Sequence, residues 1–419
     1  MPLLSETSNF SLQKYKKYFM QLQGVTVQTL LKHIPDILLD KLSEKHSVNF
    51  QVKKLSGQIV FKLLLFMVCT TERGSLNTLM TLFDDARFRL FSGIDSSFST
   101  RRNSLADRLG GLKVAYLEAI FNHVRDMCTK NRSDMNWKSF TIQRFDSTLV
   151  GLSVKLLHTG ISMGRKTKDV SEGKNFIKFT IGFDGLGINQ LQFNTAQQHA
   201  SEDVALAEAI RKTAVDARSV VVFDKGIKKR KTYAEFSAQG RSFVSRINAT
   251  TRYNVIDSNT VSCEGIKSPT LELISDENIR FHNGGLGLGE DAPFFRLIKA
   301  KSLKSEECLY FLTNISDIDA LDITEIYRLR WDIEVFFRFL KQELNFSHLL
   351  SRSLNGIKVM TYVTMIAAML MIVYAKDNAL KLGKILKLKF AMELQNELLK
   401  ELIVLCGGEP EKLSKFLSN

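Results

Sequence analysis

The sequence predicts an α/β protein, with a mixed-sheet core, a β-strand insertion, and helical regions flanking the core at both ends. Three observations point to it. Residues 1–135 carry apolar side chains at helical spacing, residues 136–316 switch to alternating and short continuous apolar runs, and residues from 317 onward return to helical spacing.

In the first region, "LSGQIVFKLLLFMVCTTERGSLNTLMTLF" and "SLADRLGGLKVAYLEAIFNHVRDM" repeat apolar residues with the period of a helix. Residues 136–248 read as the first part of the core. "KSFTIQRFDSTLV" is a strand ending in Asp146, and "NFIKFTIGF", the turn "DGLG" and "INQLQFNT" form a hairpin. "SEDVALAEAIRKTA" is a helix with Ser201 as its N-cap. "SVVVFD" is a buried strand ending in Asp224, and "SFVSRI" is a further strand. Residues 249–316, with "LELIS", "FFRLIKA" and "CLYFLTNI", read as a β-rich insertion. Residues 317–375 close the core, and 376–419 form a Lys- and Leu-rich helical tail.

The 419 residues are 44% hydrophobic, enough for two or three cored domains. The formal charge of +14 suits a polyanionic partner such as nucleic acid. Five scattered cysteines without a C-x-x-C pair argue against a disulfide framework and for a reducing compartment. The N-terminal residues have no apolar h-region, so no signal peptide is expected. "VMTYVTMIAAMLMIVYA" (359–375) is at the short limit for a membrane span and carries Thr361, Tyr362 and Thr364, which favours a buried core helix and no membrane.

The stretch "IYRLRWDIEVFFRFLKQEL" (326–344) reads as one helix, opened by an Asp322-x-x-Glu325 capping box. Tyr327, Arg330, Glu334 and Lys341 fall on one stripe, with Arg338 beside them. A solvated face of i,i+4 ion pairs accounts for such a stripe on an arbitrary helix. Asp146 and Asp224, each placed at a strand end, change that reading. Three convergent carboxylates suit two Mg²⁺ (or Mn²⁺) ions, which clamp the attacking and leaving oxygens of a phosphoryl displacement. The neighbouring cations would then hold DNA phosphates.

The spacing Tyr327-x2-Arg330-x3-Glu334-x6-Lys341 matches the Y-R-E-K signature of a group of bacterial insertion-sequence transposases. "FDSTLV" resembles that group's first-Asp strand and "VVFDKG" its second, and the resemblance covers roughly residues 95–375. It implies an RNase H-like catalytic domain with a D-D-E triad at Asp146, Asp224 and Glu334, holding two divalent metal ions. It further implies cleavage at the element ends, strand transfer of the freed 3′-OH, and contacts from Tyr327, Arg330 and Lys341 to the DNA end. Partners would be the terminal inverted repeats and target DNA, bound by a homodimer, in the bacterial cytoplasm on the nucleoid.

Two departures stand out. The second motif reads Asp224-Lys225-Gly226-Ile227, without the aromatic common in the group. The only tryptophans are Trp137 and Trp331, so a base flipped during hairpin formation would need Phe281, Phe294 or Phe295 to stack on. Further DNA contacts are expected from Lys225, Lys228, Lys229 and Arg230. The basic stretch 155–169, and Arg101 with Arg102, are open between a DNA-docking role and a solvated one. His199 is a surface or capping-neighbour histidine or lies near the site. Alternatives are a transposase-derived DNA-binding protein that does not cut, an RNase H-like structure-specific nuclease, and a carboxylate-dyad glycosidase. The last leaves the basic stripe unexplained.

Overall fold

The helix-spaced apolar runs of the first region fold as seven helices among the described residues. These are α1 (Val27–Leu31), α2 (Asp36–Lys45), α3 (Gly57–Thr70), α4 (Leu76–Phe83), α5 (Ala86–Ser92), α6 (Arg102–Gly111) and α7 (Val114–Lys130). Side chains of Ser56, Ser75 and Asp85 cap α3, α4 and α5 through the amides of Ile59, Thr78 and Arg87. The computed structural model describes residues 25–130, 137–138, 140–152, 156, 160–162, 175–258, 268–282, 293–348, 350–351 and 353–412. The N-terminal reading of residues 1–24 and most of the basic stretch 155–169 lie outside them.

Next come strands β1 (Thr141–Gly151), β2 (Ile161–Ser162), β3 (Asn175–Phe183) and β4 (Ile188–Asn194), helix α8 (Glu202–Arg211), strand β5 (Ser219–Phe223), helix α9 (Arg230–Ala238) and strand β6 (Ser242–Arg246). Strands β7 (Tyr253–Ser258), β8 (Leu271–Phe281), β9 (Phe295–Ser302) and β10 (Cys308–Thr313) follow. The chain ends in α10 (Ala320–Arg328), α11 (Trp331–Gln342), α12 (Leu354–Asp377) and α13 (Lys384–Leu405). It divides into two compact units, one of residues 1–128, 342–351 and 355–419, the other of 129–341 and 352–354.

In the first unit α3 and α12 are apolar on nearly every side and buried, as helices covered all round must be. Residues 359–375 thus lie within a core helix. Helix α13 turns Leu386, Phe390, Leu394 and Leu398 inward at i,i+4 spacing.

The second unit is built on a ten-stranded mixed sheet of order β2-β3-β1-β5-β6-β10-β9-β8-β7, with β4 paired to β3. Strands β4, β3 and β1 are antiparallel neighbours, while β1, β5 and β6 run parallel. This is the mixed-sheet arrangement of an RNase H-like core. The insertion strands continue the same sheet, since β10 pairs antiparallel with β6.

Because side chains alternate across a strand, the central strands feed two cores. Phe145, Val221, Phe223 and Phe243 pack with Leu206, Ile210, Tyr233 and Phe236 of α8 and α9. Ile142, Val220, Val222 and Val244 pack on the other face with Ile323, Ile326 and Tyr327 of α10. Burial on both faces explains why "SVVVF" is continuously apolar rather than alternating.

Candidate active site

The parallel register lines up three side chains on one row. Phe145 stands opposite Phe223, and Phe223 opposite Ser245. One residue further along lie Asp146, Asp224 and Arg246, on the face that α10 covers. Asp224 falls just past the end of β5, as expected. Asp146 does not end its strand: β1 continues to Gly151, paired with β3. What ends at Phe145 is the pairing with β5, which opens the sheet beside the aspartate.

The Glu334 segment departs from the single helix expected. Helix α10 begins at Ala320 after Asp319, and the capping box is not formed. Asp322 instead pairs with Lys138 at 2.6 Å and Glu325 with Arg328 at 2.6 Å. Helices α10 and α11 are separated at Leu329–Arg330, where the amides of Arg330, Asp332 and Ile333 bond three residues back. The cause is a side chain. Arg144, buried on β1 two residues before Asp146, donates from Nε to the Leu329 carbonyl at 2.8 Å and pairs with Asp332 at 2.9 Å. The strand of the first aspartate thereby fixes the start of the glutamate's helix.

From this junction Tyr327 and Arg330 reach the row, and Glu334 meets it through Arg330. The Tyr327 hydroxyl donates to Asp224 Oδ1 at 3.0 Å, and its ring packs edge-on to Phe311. Arg330 donates from Nη2 to Glu334 Oε1 at 2.6 Å, with its guanidinium 5.5 Å from the Tyr327 ring centre. The Arg330 side chain is only 12% exposed, so this is not a solvated ion-pair face. Its Nε is buried without a partner among the described residues, as is Nε of Arg246. Unpaired buried donors are costly, and each guanidinium is otherwise engaged through Nη2, Arg330 with Glu334 and Arg246 with Glu307 at 3.1 Å.

Burial pushes the Asp146 carboxyl up to about 6. The Ser147 amide and Arg330 oppose the shift, while the charges of Glu202 and Asp224 add to it. Burial, then the charge of Asp224, raises the Tyr327 phenol, so it donates rather than ionises. Among the described residues, no three His, Cys, Asp or Glu side chains stand close enough to enclose a metal ion. The donor set nevertheless fits Mg²⁺, which takes hard oxygens from one or two carboxylates and completes its shell with water and substrate phosphate. One oxygen of Asp146 accepts from the Ser147 amide and one of Asp224 from Tyr327, while the second oxygen of each accepts no hydrogen bond among the described residues. Glu334 is held by Arg330 in this arrangement.

The remaining predicted contacts divide. Lys225, Lys228 and Lys229 are exposed on the loop after Asp224, and Arg338 and Lys341 are exposed on α11. Arg330, rather than Arg338, is the partner of Glu334. Arg230 is engaged internally, stacked 5.5 Å over Phe281 and donating to the His282 carbonyl. Phe281 and Phe295 are 4% and 2% exposed in the core, so neither can stack a base; Phe294 is 61% exposed. Ile227, where the motif's aromatic is missing, fills the same core beside Phe223 and Tyr233. His199 bonds Glu208 of α8 at 3.1 Å. Ser201 is the N-cap of α8 by position, but its side chain makes no cap bond. In the helical unit, Arg101 lines an open cleft with Lys53, Lys54 and Arg108, while Arg102 bonds Asn77.

Sequence reasoning missed Arg144 and Arg246. Only the strand register could have found them, by placing Arg246 level with Asp224.

Residues 137–370, more than half of the chain, match the family model of the transposase DDE domain. A protein of Sinorhizobium fredii described as a candidate transposase, y4zB, is 24% identical over 172 residues, 41% of this chain and 47% of that protein. A candidate transposase of insertion sequence element IS4SA from a Synechocystis species is 31% identical over 81 residues, 19% of this chain and 22% of the relative. The matches span less than half the length of these relatives. Among solved structures, the piggyBac transposase synaptic complex with hairpin DNA is similar at a TM-score of 0.46 and 11% identity, covering 91% of this chain and 81% of that one. The chain belongs to the transposase DDE domain family.

Proposed function

We propose that this protein is the transposase of a bacterial insertion sequence of the Y-R-E-K group, cutting DNA at the element's ends and transferring the freed 3′-OH to target DNA. The observation that supports this is the row Asp146–Asp224–Arg246, met by Tyr327 and Arg330, with Glu334 joined to it through Arg330. Asp146, Asp224 and Glu334 would hold two Mg²⁺ or Mn²⁺ ions, which supply charge neutralisation and activation of the attacking oxygen.

The protein's own side chains do the rest. Tyr327 fixes the rotamer of Asp224 by donating to one oxygen, leaving the other free. Arg330 neutralises the carboxylates before substrate arrives, and its unpaired Nε gives a phosphate oxygen a donor. Arg246 offers a second such donor on the Asp224 side. Lys341, Arg338, Lys225, Lys228 and Lys229 are placed to track the backbone further out, a role for which exposed cations suffice. The acting species is a homodimer holding both element ends, the commonest closed symmetry. It works in the cytoplasm on nucleoid DNA.

The test uses linear DNA carrying the sequences that flank the coding region, incubated with protein and Mg²⁺. Metal-dependent nicks at the ends, with the 3′ ends joined to a second duplex, are expected. Cutting without joining would favour a structure-specific nuclease, and binding without cutting a DNA-binding derivative. Light scattering of the complex should give two protein copies per pair of ends.

A further inference from the structure

The two aspartates sit on separate segments, and one short piece of chain touches both. Helix α8 packs on the sheet face opposite Tyr327, and its first turn carries Glu202 and Asp203. Glu202 accepts from Lys178 Nζ at 2.7 Å and, through its other oxygen, from Ser147 Oγ at 3.0 Å. Ser147 in turn donates its amide to Asp146 Oδ1 at 2.7 Å. With both oxygens engaged and its charge matched by a buried lysine, Glu202 is occupied as a support, not available as a ligand. Asp203 Oδ1 accepts from the amides of Lys228 and Lys229 at 2.7 and 2.8 Å, so it holds the loop that follows Asp224. Between these contacts the loop lies directly on the helix, since a Cβ at Gly226 would stand 2.9 Å from Glu202 Cγ.

We propose that the first turn of α8 is a clamp that sets the separation of Asp146 and Asp224, with Glu202 and Asp203 as positioning residues for the metal-binding pair. This rests on the reading of Asp146 and Asp224 as metal ligands. Two Mg²⁺-binding carboxylates from different strands need their spacing held to within a fraction of an ångström. Parallel pairing of β1 with β5 ends one residue short of them. The clamp takes over where the ladder stops. It acts through backbone amides on one side and a hydroxyl on the other, so acceptor geometry rather than charge is what it contributes.

The experiment is a Mn²⁺ titration of the full-length protein by electron paramagnetic resonance, with thermal unfolding measured on each variant. Asp203→Ala should weaken Mn²⁺ binding by about ten-fold or more, as loss of an outer support typically does. Asp203→Asn keeps the acceptor oxygen and should bind within about two-fold of wild type. Gly226→Ala alters no charge, forces the loop off Glu202, and should weaken binding as Asp203→Ala does. Wild-type affinity in both Asp203→Ala and Gly226→Ala would overturn the clamp. Equal loss in Asp203→Asn and Asp203→Ala would overturn it too, because charge alone would then explain the effect. Asp146→Ala and Asp224→Ala serve as controls. If they bind Mn²⁺ like wild type, the metal-ligand reading itself fails, and the clamp with it.

Discussion

The hydroxyl of Tyr327 donates to Oδ1 of Asp224 at 3.0 Å, so the first residue of the Tyr–Arg–Glu–Lys stripe touches the second aspartate directly. The phenol is raised by burial and by that carboxylate, and stays protonated at neutral pH. Tyr327→Phe removes this donor and keeps the ring on Phe311. Its expected signature is a fall in cleavage rate of roughly ten- to a hundred-fold. Stability should fall by only about 1 kcal/mol, measured by denaturant unfolding. A wild-type rate would make Tyr327 a packing residue only.

Arg144 ties the strand of Asp146 to the helix of Glu334. Arg144→Met should leave the Leu329 carbonyl with the Asp332 amide as its one donor among the described residues, and Asp332 without its ion-pair partner. Removing one member of a buried pair costs roughly 3–5 kcal/mol, toward the lower end here because Asp332 is half exposed. Thermal unfolding of the variant tests this, and a loss below about 1 kcal/mol would mean that the break between α10 and α11 has another cause.

Asp146 gives a pH dependence whose sign is fixed. Its carboxyl in the folded protein is raised to about 6, above its ordinary value of 3.8. Folding therefore favours the protonated form, and the metal-free protein loses stability as pH rises from about 4 through 6. At pH 8 this penalty is roughly 3 kcal/mol. Asp146→Asn should remove it, making the metal-free variant the more stable protein at pH 8 and about equal to wild type near pH 4. A difference that grows toward low pH would contradict the burial argument.

Much of this arrangement was legible beforehand, and the parts that were not share a cause. The apolar runs "SVVVF" and "NFIKFTIGF" fix buried strands because continuous burial requires continuous apolarity. The stripe Tyr327–Arg330–Glu334 survives because one-turn spacing places these side chains together even across the break at Leu329. The break itself was hidden, since it is imposed by Arg144 from a strand far away in sequence. The Asp322–Glu325 box failed for a similar reason: Lys138 and Arg328 offered full charges where the helix end offered amides. Arg246 and the first turn of α8 become visible only when β1, β5 and β6 are in register. Of the phenylalanines, residue type alone could not separate Phe294, exposed, from Phe281 and Phe295, which the core absorbs.

The cations divide into two kinds that salt can distinguish. Lys341 is exposed and makes no ion pair among the described residues, so Lys341→Ala should lower the salt slope of DNA binding by roughly one unit and leave stability unchanged. Arg330→Ala should lower the slope similarly and also free Glu334 from its partner, so cleavage should fall with binding. Binding measured at several salt concentrations checks both, and unchanged slopes in both variants would remove the stripe from the DNA surface.

The most direct measurement is cleavage of end DNA by Asp146→Ala, Asp224→Ala and Glu334→Ala in Mg²⁺, alongside binding of the same DNA. If the three carboxylates hold the metal and the cations hold the DNA, each variant loses cleavage by orders of magnitude. Each should still bind the ends with nearly wild-type affinity. Cleavage at the wild-type rate by any one of the three would take that residue out of the catalytic site.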